Sequence, residues 1–490
     1  MSVESVTSCV SPSPAAPRVE GPLFVDLDGS LVATDLLWES AMLFAACHPL
    51  EIWRIPIWLG GGKAHLKQQL AERALPDPAL LPYREEVLEF VRREKSRGRT
   101  VILATAADRR AAASVAEHLG IFDGVLASDG ATNLSGARKL AAIEARSGDA
   151  AFGYLGDARV DLPLWEKAGD AHVVDASPAL RRAAEAVCQP RSIFARRSGG
   201  LAAWWRALRP TQWIKNILLL VPLFAAHKLG EPGLFGQVLL ALATFCACAS
   251  SVYIVNDLVD LAGDRQHPRK RTRPFASGAL SIPAGLLLAA ALLAGAFTVS
   301  ALLLPLAFTA HLATYLALAS AYSFYFKRRL LQDVFLLAGL YTMRIMAGGA
   351  ATGVEISPWL LAFSLFFFLS LAFVKRYAEL LMVAERAEQL ASGRNYLTGD
   401  ITLIESVGPN SGYIAVLVLC LYINSDAIVG VYRHPGWLWL LCPILLYWIT
   451  RMWFLARRRT LADDPVVFAV RDRVSLLAGL AAGAIFLLSR

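Results

Sequence analysis

The chain has 490 residues, of which 56% are hydrophobic, and its formal net charge is +8. This length exceeds that of one ordinary domain, so we expect at least two domains. The hydrophobic share exceeds that of soluble globular proteins, which excludes a wholly soluble chain and predicts a part that lies in lipid. The seven cysteines form no CxxC pair and show no metal-ligand spacing, so we interpret them as reduced structural thiols.

The hydrophobic residues are unevenly distributed along the chain. Residues 1–20 are rich in Ser and Pro and lack an apolar stretch, which predicts a disordered tail rather than a secretory signal. Residues 21–190 alternate apolar and charged stretches as a soluble domain does, and residues 191–210 form a basic linker. Residues 211–490 consist mostly of long apolar runs, which predicts an all-α polytopic membrane domain.

A short apolar strand opens the soluble region and ends in two carboxylates. Residues 23–28 are Leu-Phe-Val-Asp-Leu-Asp, and side chains two residues apart in a strand point the same way, so we expect Asp26 and Asp28 to converge. Carboxylates at the carboxyl end of a parallel strand lie where α/β folds place their chemistry. A second apolar strand, 101–104, ends in Thr105.

Two further motifs follow: Lys139 after the sequence Asn-Leu-Ser-Gly-Ala-Arg, and Gly-Asp157 with Asp161 four residues later. Together with the DxDGS sequence and the strand-end threonine, they resemble the haloacid dehalogenase (HAD) superfamily, in that family's order over residues 21–190. The resemblance implies a Rossmann-like α/β fold, a helical cap formed here by residues 36–85, and a phosphatase activity.

The resemblance also implies a role for each motif residue. Asp26 would attack phosphorus as the nucleophile, and Asp28 would act as general acid and base. Thr105 and Lys139 would bind the phosphoryl oxygens. Three carboxylates would hold Mg²⁺: Asp26, Asp157 and Asp161.

Nine apolar runs are long enough for a membrane-spanning helix. We expect them near residues 213–229, 235–255, 283–303, 306–326, 331–351, 357–374, 412–432, 436–454 and 474–489. Basic residues concentrate in alternate loops, which places those loops and the soluble domain in the cytoplasm and the C-terminus outside. The sequence therefore predicts a multi-pass protein of the cell inner (plasma) membrane, and this topology accounts for the basic charge without nucleic acid.

An acidic motif, Asn256-Asp257-Leu-Val-Asp260-Leu-Ala-Gly-Asp264, stands at the end of the second predicted span. Spacings of three and four residues place its aspartates on one helix face, where like charges repel. Mg²⁺ would relieve that repulsion and bind a diphosphate. Cations for the phosphate oxygens follow in the next segment: Lys270, Arg271 and Arg273.

This motif resembles the first Asp-rich motif, NDxxDxxxD, of the UbiA superfamily of intramembrane transferases, over residues 205–490. Within that superfamily, RPTQWIKN at 209–216, HPRKRTRPFASG at 267–278 and KRYAE at 375–379 look like decaprenyl-phosphate phosphoribosyltransferases. The same pattern includes Tyr322, Lys327, Asp333 and Arg344. The prenyltransferase branch usually has a second DxxxD motif where this chain has KRxxE.

The resemblance implies Mg²⁺-dependent transfer of 5-phosphoribose from phosphoribosyl diphosphate to a polyprenyl phosphate. Asp257, Asp260 and Asp264 would be catalytic and would hold Mg²⁺ on the diphosphate. The substrate-binding residues would be Asn256, Lys270, Arg271, Arg273, Tyr322, Lys327, Asp333, Arg344, Lys375 and Arg376. The tethered phosphatase would then remove the 5-phosphate of the product.

Three alternatives stay open. In the first, the membrane half is a prenyltransferase with a polyprenyl diphosphate donor and an aromatic or lipid acceptor, and the soluble domain is a regulatory or unrelated phosphatase. In the second, the soluble domain is a silent binding module. A transporter is a weaker alternative, because the acidic cluster lies at a span end. The expected partners are the two substrates and membrane lipids; lipid chain length and oligomeric state, including a homo-oligomer, stay open.

Overall fold

The structure is a computed structural model that describes residues 21–195, 199–385, 395–428, 432–461 and 464–489. The predicted tail, 1–20, and part of the predicted linker, 196–198, lie outside the described residues. The chain divides into two compact units. We call Met1–Trp204 with Asp257–Ala284 the α/β unit, and Trp205–Asn256 with Gly285–Arg490 the helical unit.

A six-stranded parallel sheet forms the centre of the α/β unit, as the sequence predicts. Its strand order is β3-β2-β1-β4-β5-β6. The strands are β1 Leu23–Val25, β2 Val101–Asp108, β3 Gly124–Ser128, β4 Gly153–Gly156, β5 Asp170–Ala176 and β6 Ser192–Ala195. Because β1 lies between β2 and β4, the residues that follow these three strands meet at one edge of the sheet, where the strand order reverses.

Eight helices accompany this sheet: the first three form a separate group, and the other five pack on its two faces. They are α1 Leu36–Cys47, α2 Arg54–Gly60, α3 Lys63–Arg73, α4 Glu85–Ser96, α5 Arg109–Leu119, α6 Ala137–Ser147, α7 Leu162–Lys167 and α8 Pro178–Val187. Leu23 and Val25 of β1 share one apolar cluster with α4 and α5, and Phe24 shares another with α6, α7 and α8. A strand buried on both faces is expected to be apolar throughout, as β1 is.

Helices α1 to α3 form the predicted cap, and it has an apolar core of its own. This core includes Phe44 from α1, Trp58 from α2, and Leu66 and Leu70 from α3. The cap helices lie between β1 and β2 in the sequence, so they are inserted beside the edge of the sheet where Asp26 and Asp28 lie. The cap is therefore placed to cover that edge.

The rest of the described chain is helical. Its helices are α9 Gly200–Leu208, α10 Val221–Ala225, α11 Pro232–Val259, α12 Leu261–Gln266, α13 Ile282–Leu303, α14 Leu306–Phe324, α15 Gln332–Thr352, α16 Pro358–Glu385, α17 Ile401–Ile423, α18 Leu441–Arg457, α19 Pro465–Ala469 and α20 Arg473–Leu488. Two apolar clusters hold the helical unit together. One joins α15 to α16, α17 and α18, and the other joins α11 to α14 and α15.

Six helices among the described residues are long and apolar enough to cross a membrane. They are Pro232–Val259, Ile282–Leu303, Gln332–Thr352, Pro358–Ala384, Thr398–Ile423 and Pro435–Arg457. These six confirm part of the predicted set of nine. The other three, near 213–229, 306–326 and 474–489, stay predictions.

One predicted span starts in the wrong place. The seventh span is predicted at 412–432, whereas the helix runs from Thr398 to Ile423. Pro409 lies inside α17, where sequence reasoning treats a proline as a helix boundary. Proline is tolerated inside membrane helices, since neighbouring groups can satisfy the backbone that it frees.

Candidate active sites

The three carboxylates predicted to bind a metal converge at the edge of the sheet. Asp26 follows β1, Asp157 follows β4, and Asp161 ends the short turn after it. One carboxylate oxygen from each of the three lies within 4.8 Å of the others. The backbone N–H of Asp26 donates to the carbonyl of Leu155 at 2.9 Å, which extends the pairing of β1 with β4 to the site itself.

Burial and mutual repulsion make these carboxylates costly to ionise. Burial, together with the charge of Asp26, raises the pKa of Asp157 well above its ordinary value and raises that of Asp161 to about 6. A divalent cation would remove this cost, and its preferred ligands are oxygen atoms of this kind. The residues present therefore fit Mg²⁺, which Asp26, Asp157 and Asp161 would hold.

Lys139 lies beside two of the three carboxylates. Its Nζ is 2.8 Å from Oδ1 of Asp26 and 3.9 Å from Oδ1 of Asp161. It also donates to the Tyr154 hydroxyl at 3.1 Å, and that hydroxyl donates to Asp161 at 2.9 Å. Burial alone would lower the pKa of Lys139, but the charges of Asp26 and Asp161 outweigh burial and raise it. Lys139 is therefore held as a cation, as binding a phosphoryl group requires.

Asp28 has the environment that a general acid needs. Its Oδ1 accepts a hydrogen bond from the backbone N–H of Leu36 at 2.8 Å, at the start of the cap. Burial and the charge of Asp35 raise the pKa of Asp28 well above its ordinary value, which favours the protonated form. Thr105 is fully buried on β2, and its hydroxyl accepts from the backbone N–H of Ala107 at 3.0 Å.

A cavity of about 710 Å³ lies in front of these residues. Asp26, Asp28 and Lys139 line it, whereas Ala106 lines it in place of the neighbouring Thr105. Gly29 is needed here, because its φ is 76° and a Cβ would lie 2.1 Å from Oδ2 of Asp157. A side chain at this position would therefore displace a predicted metal ligand.

The cavity has walls that sequence reasoning did not predict. Lys67 of the cap lines the cavity and donates to the carbonyl of Ala106 at 2.6 Å and to Asn133 at 3.0 Å. Two chain segments that lie outside the predicted phosphatase domain also line the cavity: Gly199, Gly200 and Trp204, and residues 278–284. A local pattern gives no signal for such distant contacts.

The segment Asp257–Ala284 packs against the phosphatase fold within the α/β unit. Arg265 forms a two-point ion pair with Glu39 of the cap, with N···O distances of 2.6 and 3.0 Å, and both side chains are almost fully buried. Thr34, which lines the cavity, donates to Glu39 at 2.7 Å. A Cβ on Gly278 would lie 2.5 Å from the Ala33 carbonyl, so the two backbones are in close contact.

The acidic motif does not lie on one helix face as predicted. Helix α11 ends at Val259, Asp260 leaves helical geometry, and α12 begins at the next residue. Arg273 joins the two sides of this break, since its Nη1 is 3.0 Å from Asp257 and 2.5 Å from Asp264. Asp257 and Asp264 are buried, so they need positive charge close by. Their carboxylate oxygens also fit Mg²⁺.

The other predicted residues near this motif are more open. Lys270 and Arg271 lie on the exposed turn Lys270–Thr272. Asn256 is half-buried near the end of α11 and belongs to the helical unit, as do the half-buried Tyr322 and Lys327.

In the helical unit, buried cations gather around Asp464. Its Oδ2 lies 2.6 Å from Nζ of Lys215 and 3.2 Å from Nζ of Lys375, and the Tyr341 hydroxyl donates to its Oδ1 at 3.2 Å. Burial alone would raise the pKa of Asp464, but the two lysines hold it well below its ordinary value. Sequence reasoning missed Asp464, which is 249 residues from Lys215 along the chain.

A third cation, Arg344, belongs to the same group. Its guanidinium lies 5.5 Å from the centre of the Tyr341 ring, and Lys215 lies 5.6 Å from that ring. Arg344 donates to neutral partners: Asn216 at 2.9 Å, the Tyr315 hydroxyl at 3.3 Å and the carbonyl of Leu340. We call Lys215, Arg344 and Lys375 the cation cluster. Lys215 and Lys375 pair with the carboxylate of Asp464, and Arg344 lies against the ring of Tyr341, whose hydroxyl donates to the same carboxylate.

Asp333, Arg376 and Glu379 form a second charged group in the helical unit. The Arg376 guanidinium pairs with Asp333 and with Glu379, and the Tyr396 hydroxyl donates to Asp333 at 2.7 Å. Asp333 and Arg376 are both fully buried. This group contains one cation and two carboxylates, which sets it apart from the cation cluster.

Comparisons with known proteins give a family match for each of the two parts of the chain. Residues 217–484 match the UbiA prenyltransferase family, and residues 23–166 match the haloacid dehalogenase-like hydrolases. Uncharacterized protein y4nM of Sinorhizobium fredii is 36% identical over 471 residues, which cover 96% of this chain and 91% of that protein. Nodulation protein NoeC of Azorhizobium caulinodans is 36% identical over 289 residues, or 58% of this chain and 92% of NoeC. A decaprenyl-phosphate phosphoribosyltransferase of Mycobacterium tuberculosis is 31% identical over 285 residues, or 56% and 90%.

Proposed function

We propose a function from one premise: this chain belongs to the UbiA prenyltransferase family, carries a haloacid dehalogenase-like domain at its N-terminus, and is an integral membrane enzyme. In the proposed reaction, 5-phosphoribose passes from phosphoribosyl diphosphate to a polyprenyl phosphate, with Mg²⁺. The N-terminal domain then removes the 5-phosphate of the lipid product. Both steps take place on the cytoplasmic side of the cell inner membrane.

The excess of buried positive charge in the cation cluster carries this proposal. Lys215 and Lys375 share the carboxylate of Asp464, the described hydrogen bonds of Arg344 go to neutral partners, and buried charges are costly unless they are paired. Phosphoribosyl diphosphate brings a diphosphate and a 5-phosphate, and the polyprenyl phosphate brings another phosphate. These substrates supply more negative charge than a prenyl diphosphate does. The name of the M. tuberculosis relative supports the same donor and acceptor.

The transfer step exchanges one C–O bond for another. A phosphate oxygen of the polyprenyl phosphate attacks C1 of the ribose, the C1–O bond to the diphosphate breaks, and its electron pair leaves with the diphosphate. Asp257, Asp260 and Asp264 would hold Mg²⁺, which supplies positive charge to the departing diphosphate. The cation cluster would bind phosphate oxygens and orient the two substrates.

The hydrolytic step proceeds through a covalent enzyme intermediate. A carboxylate oxygen of Asp26 attacks the phosphorus of the 5-phosphate, and the ester P–O bond breaks. Asp28 gives its proton to the departing 5-oxygen. Water then attacks the aspartyl phosphate, Asp28 takes a proton from that water, and free phosphate leaves. Lys139 offsets the charge of the phosphoryl oxygens throughout, and Mg²⁺ on the three carboxylates would bind the same group.

The alternative is prenyl transfer from a polyprenyl diphosphate to an aromatic or lipid acceptor. The acidic motif of Asp257, Asp260 and Asp264 would serve that reaction equally well, because it too releases a diphosphate. The mass of the lipid product separates the two reactions, since a phosphoribosyl group and a prenyl group differ in composition.

The test uses the full chain, purified in detergent, with Mg²⁺, isotopically labelled phosphoribosyl diphosphate and a polyprenyl phosphate. Mass analysis of the extracted lipid should show a pentose without its 5-phosphate. Asp257→Ala should abolish the pentose-bearing lipid, and Asp26→Asn should leave the pentose with its 5-phosphate. Asp149→Asn, at an exposed position outside both sites, is the control and should behave as wild type. If no pentose reaches lipid while a prenyl diphosphate is consumed with an acceptor, the alternative replaces the proposal.

A further inference from the structure

The cap carries apolar side chains on opposite sides of one short helix. Helix α2 buries Trp58 in the cap core and packs Ile55 against it. The same stretch of chain exposes five large apolar side chains: Leu50 at 89%, Ile52 at 40%, Trp53 at 60%, Ile57 at 61% and Leu59 at 49%. We call these five residues the cap patch.

The cap patch has more exposed apolar side chains close together in the sequence than an ordinary protein surface has. Single apolar residues are common on protein surfaces, whereas contiguous apolar patches mark interaction sites. Trp53 and Ile57 are four residues apart, so they share one face of the helical stretch. A helix that is apolar on both faces is typical of elements surrounded by protein or lipid on every side. The outer face of α2 therefore needs a partner.

The residues around the cap patch indicate what this partner is. Arg54 lies over the Trp53 ring, 5.5 Å from its centre, and pairs with Glu51 at 2.8 Å. Exposed His48 and Lys63 lie just before and just after the patch. Tryptophan with basic neighbours is the composition that membrane interfaces select, since indole prefers the headgroup level and cations attract anionic lipids.

A lipid surface is also within reach of the cap. Within the α/β unit, Glu39 of the cap is paired with Arg265, and the turn at Ala33 that leads into the cap contacts Gly278. Four residues after Gly278 the chain enters α13, one of the six helices able to cross a membrane. The base of the cap thus lies beside a segment that leads directly into the bilayer.

We propose that the cap patch inserts into the interfacial layer of the bilayer that holds the spans, with anionic headgroups against its basic rim. Leu50, Trp53 and Ile57 lie at the level of the headgroups and upper acyl chains. The cap is thereby a second, non-spanning membrane contact of the chain, and it holds the phosphatase cavity at the membrane surface. This surface role does not depend on which reaction either site performs.

Depth-sensitive quenching in nanodiscs tests the proposal on the full chain. Exposed Cys47, and Cys9, which lies outside the described residues, are first replaced by Ser, and Ile57→Cys then carries a nitrobenzoxadiazole label. Ala145→Cys, at an exposed position on α6, carries the same label as the matched control. The discs contain phosphatidylcholine, phosphatidylglycerol and a lipid with a nitroxide on its acyl chain. A second series adds aqueous iodide instead.

We expect the lipid nitroxide to quench the label at position 57 several-fold more than the label at position 145, and iodide to do the reverse. Trp53→Ser in the Ile57→Cys chain should reduce the lipid quenching, with circular dichroism confirming that the fold is kept. Equal lipid quenching at the two positions would overturn the proposal. Energy transfer between two labelled copies in one disc, without lipid quenching, would also overturn it and would assign the cap patch to a second copy of the chain.

Discussion

Replacing Asp464 by Asn tests whether the cation cluster is an anion site. The substitution keeps the size and shape of the side chain but removes the negative charge shared by Lys215 and Lys375. Asn also keeps the helix cap, because Asp464 accepts from the backbone N–H of Val466 at 3.2 Å and Asn caps helices about as well as Asp. Charge is therefore the main property that changes.

The distances in the structure set the expected loss of stability in Asp464→Asn. At an effective dielectric constant of about 20, unit charges 2.6 and 3.2 Å apart attract each other by roughly 6 and 5 kcal/mol. Desolvation of the buried groups offsets much of this, and removing one partner of a buried pair typically costs about 3–5 kcal/mol. For a unit of this size we expect the melting temperature without ligand to fall by roughly 6–20 °C.

The assay is thermal unfolding of the detergent-purified chain, with and without phosphoribosyl diphosphate and Mg²⁺. Because the substitution frees two buried lysines, the anion should stabilise Asp464→Asn more than wild type. Asp472→Asn is the control, since Asp472 pairs with Arg451 in a more exposed site and should cost about 1 kcal/mol or less. An unchanged melting temperature in Asp464→Asn, or a smaller ligand shift than in wild type, would refute the reasoning.

Three further predictions concern the α/β unit. Asp28→Asn removes the general acid, so hydrolysis of the 5-phosphate should fall about 10²–10⁴-fold while pentose transfer to lipid continues, as product mass will show. Gly29→Ala places a Cβ 2.1 Å from a predicted metal ligand, so the same hydrolysis should fall about 100-fold, measured as phosphate release. Arg273→Gln leaves Asp257 and Asp264 without their shared cation, so Mg²⁺ should raise the melting temperature of this variant more than that of wild type.

Each of these variants has a matched control. Gly98→Ala has the same left-handed backbone strain as Gly29→Ala, with a φ of 83°, but its Cβ would meet nothing within 4 Å, so hydrolysis should persist. Arg271→Gln removes an exposed arginine from the same segment and should leave the Mg²⁺ effect unchanged. Loss of pentose transfer in Asp28→Asn, equal hydrolysis in the two glycine variants, or equal Mg²⁺ shifts in the two arginine variants would contradict the respective prediction.

Sequence reasoning predicted the features of this protein that are encoded locally. Asp26 and Asp28 follow a three-residue apolar strand, so their place at its carboxyl end could be predicted from the strand pattern. The resemblance to the HAD superfamily implied that Asp157 and Asp161 join Asp26, and the three carboxylates do converge. The long membrane helices could be predicted because a run of about twenty apolar residues has the length of a helix that crosses a bilayer and is rarely found in another structure. Both inferences rest on local sequence patterns, which extend over no more than two adjacent secondary-structure elements.

The features that sequence reasoning missed depend on contacts between distant residues. Asp464 is an ordinary loop residue until Lys215 and Lys375 are placed beside it, and those pairings span 249 and 89 residues. The break in the acidic motif at Asp260 was missed because the spacing of its aspartates also fits a continuous helix. The cap patch was missed because exposure can be seen only once the other face of α2 is known to be buried.

The ion pair between Glu39 and Arg265 bears on the order in which parts of this chain fold during synthesis. Residues up to β6 leave the ribosome before α11 and the segment after it, and N-terminal domains generally fold as they emerge. The cap surface that bears Glu39 is therefore complete while the acidic segment is still being synthesised. Arg265 and the turn at Gly278 then pack against a cap that is already folded. The phosphatase fold therefore guides the folding of the segment Asp257–Ala284. A chain that begins after β6 would lack Glu39, so Arg265 would lose its carboxylate partner and keep its hydrogen bond to the carbonyl of Ala276 at 2.9 Å.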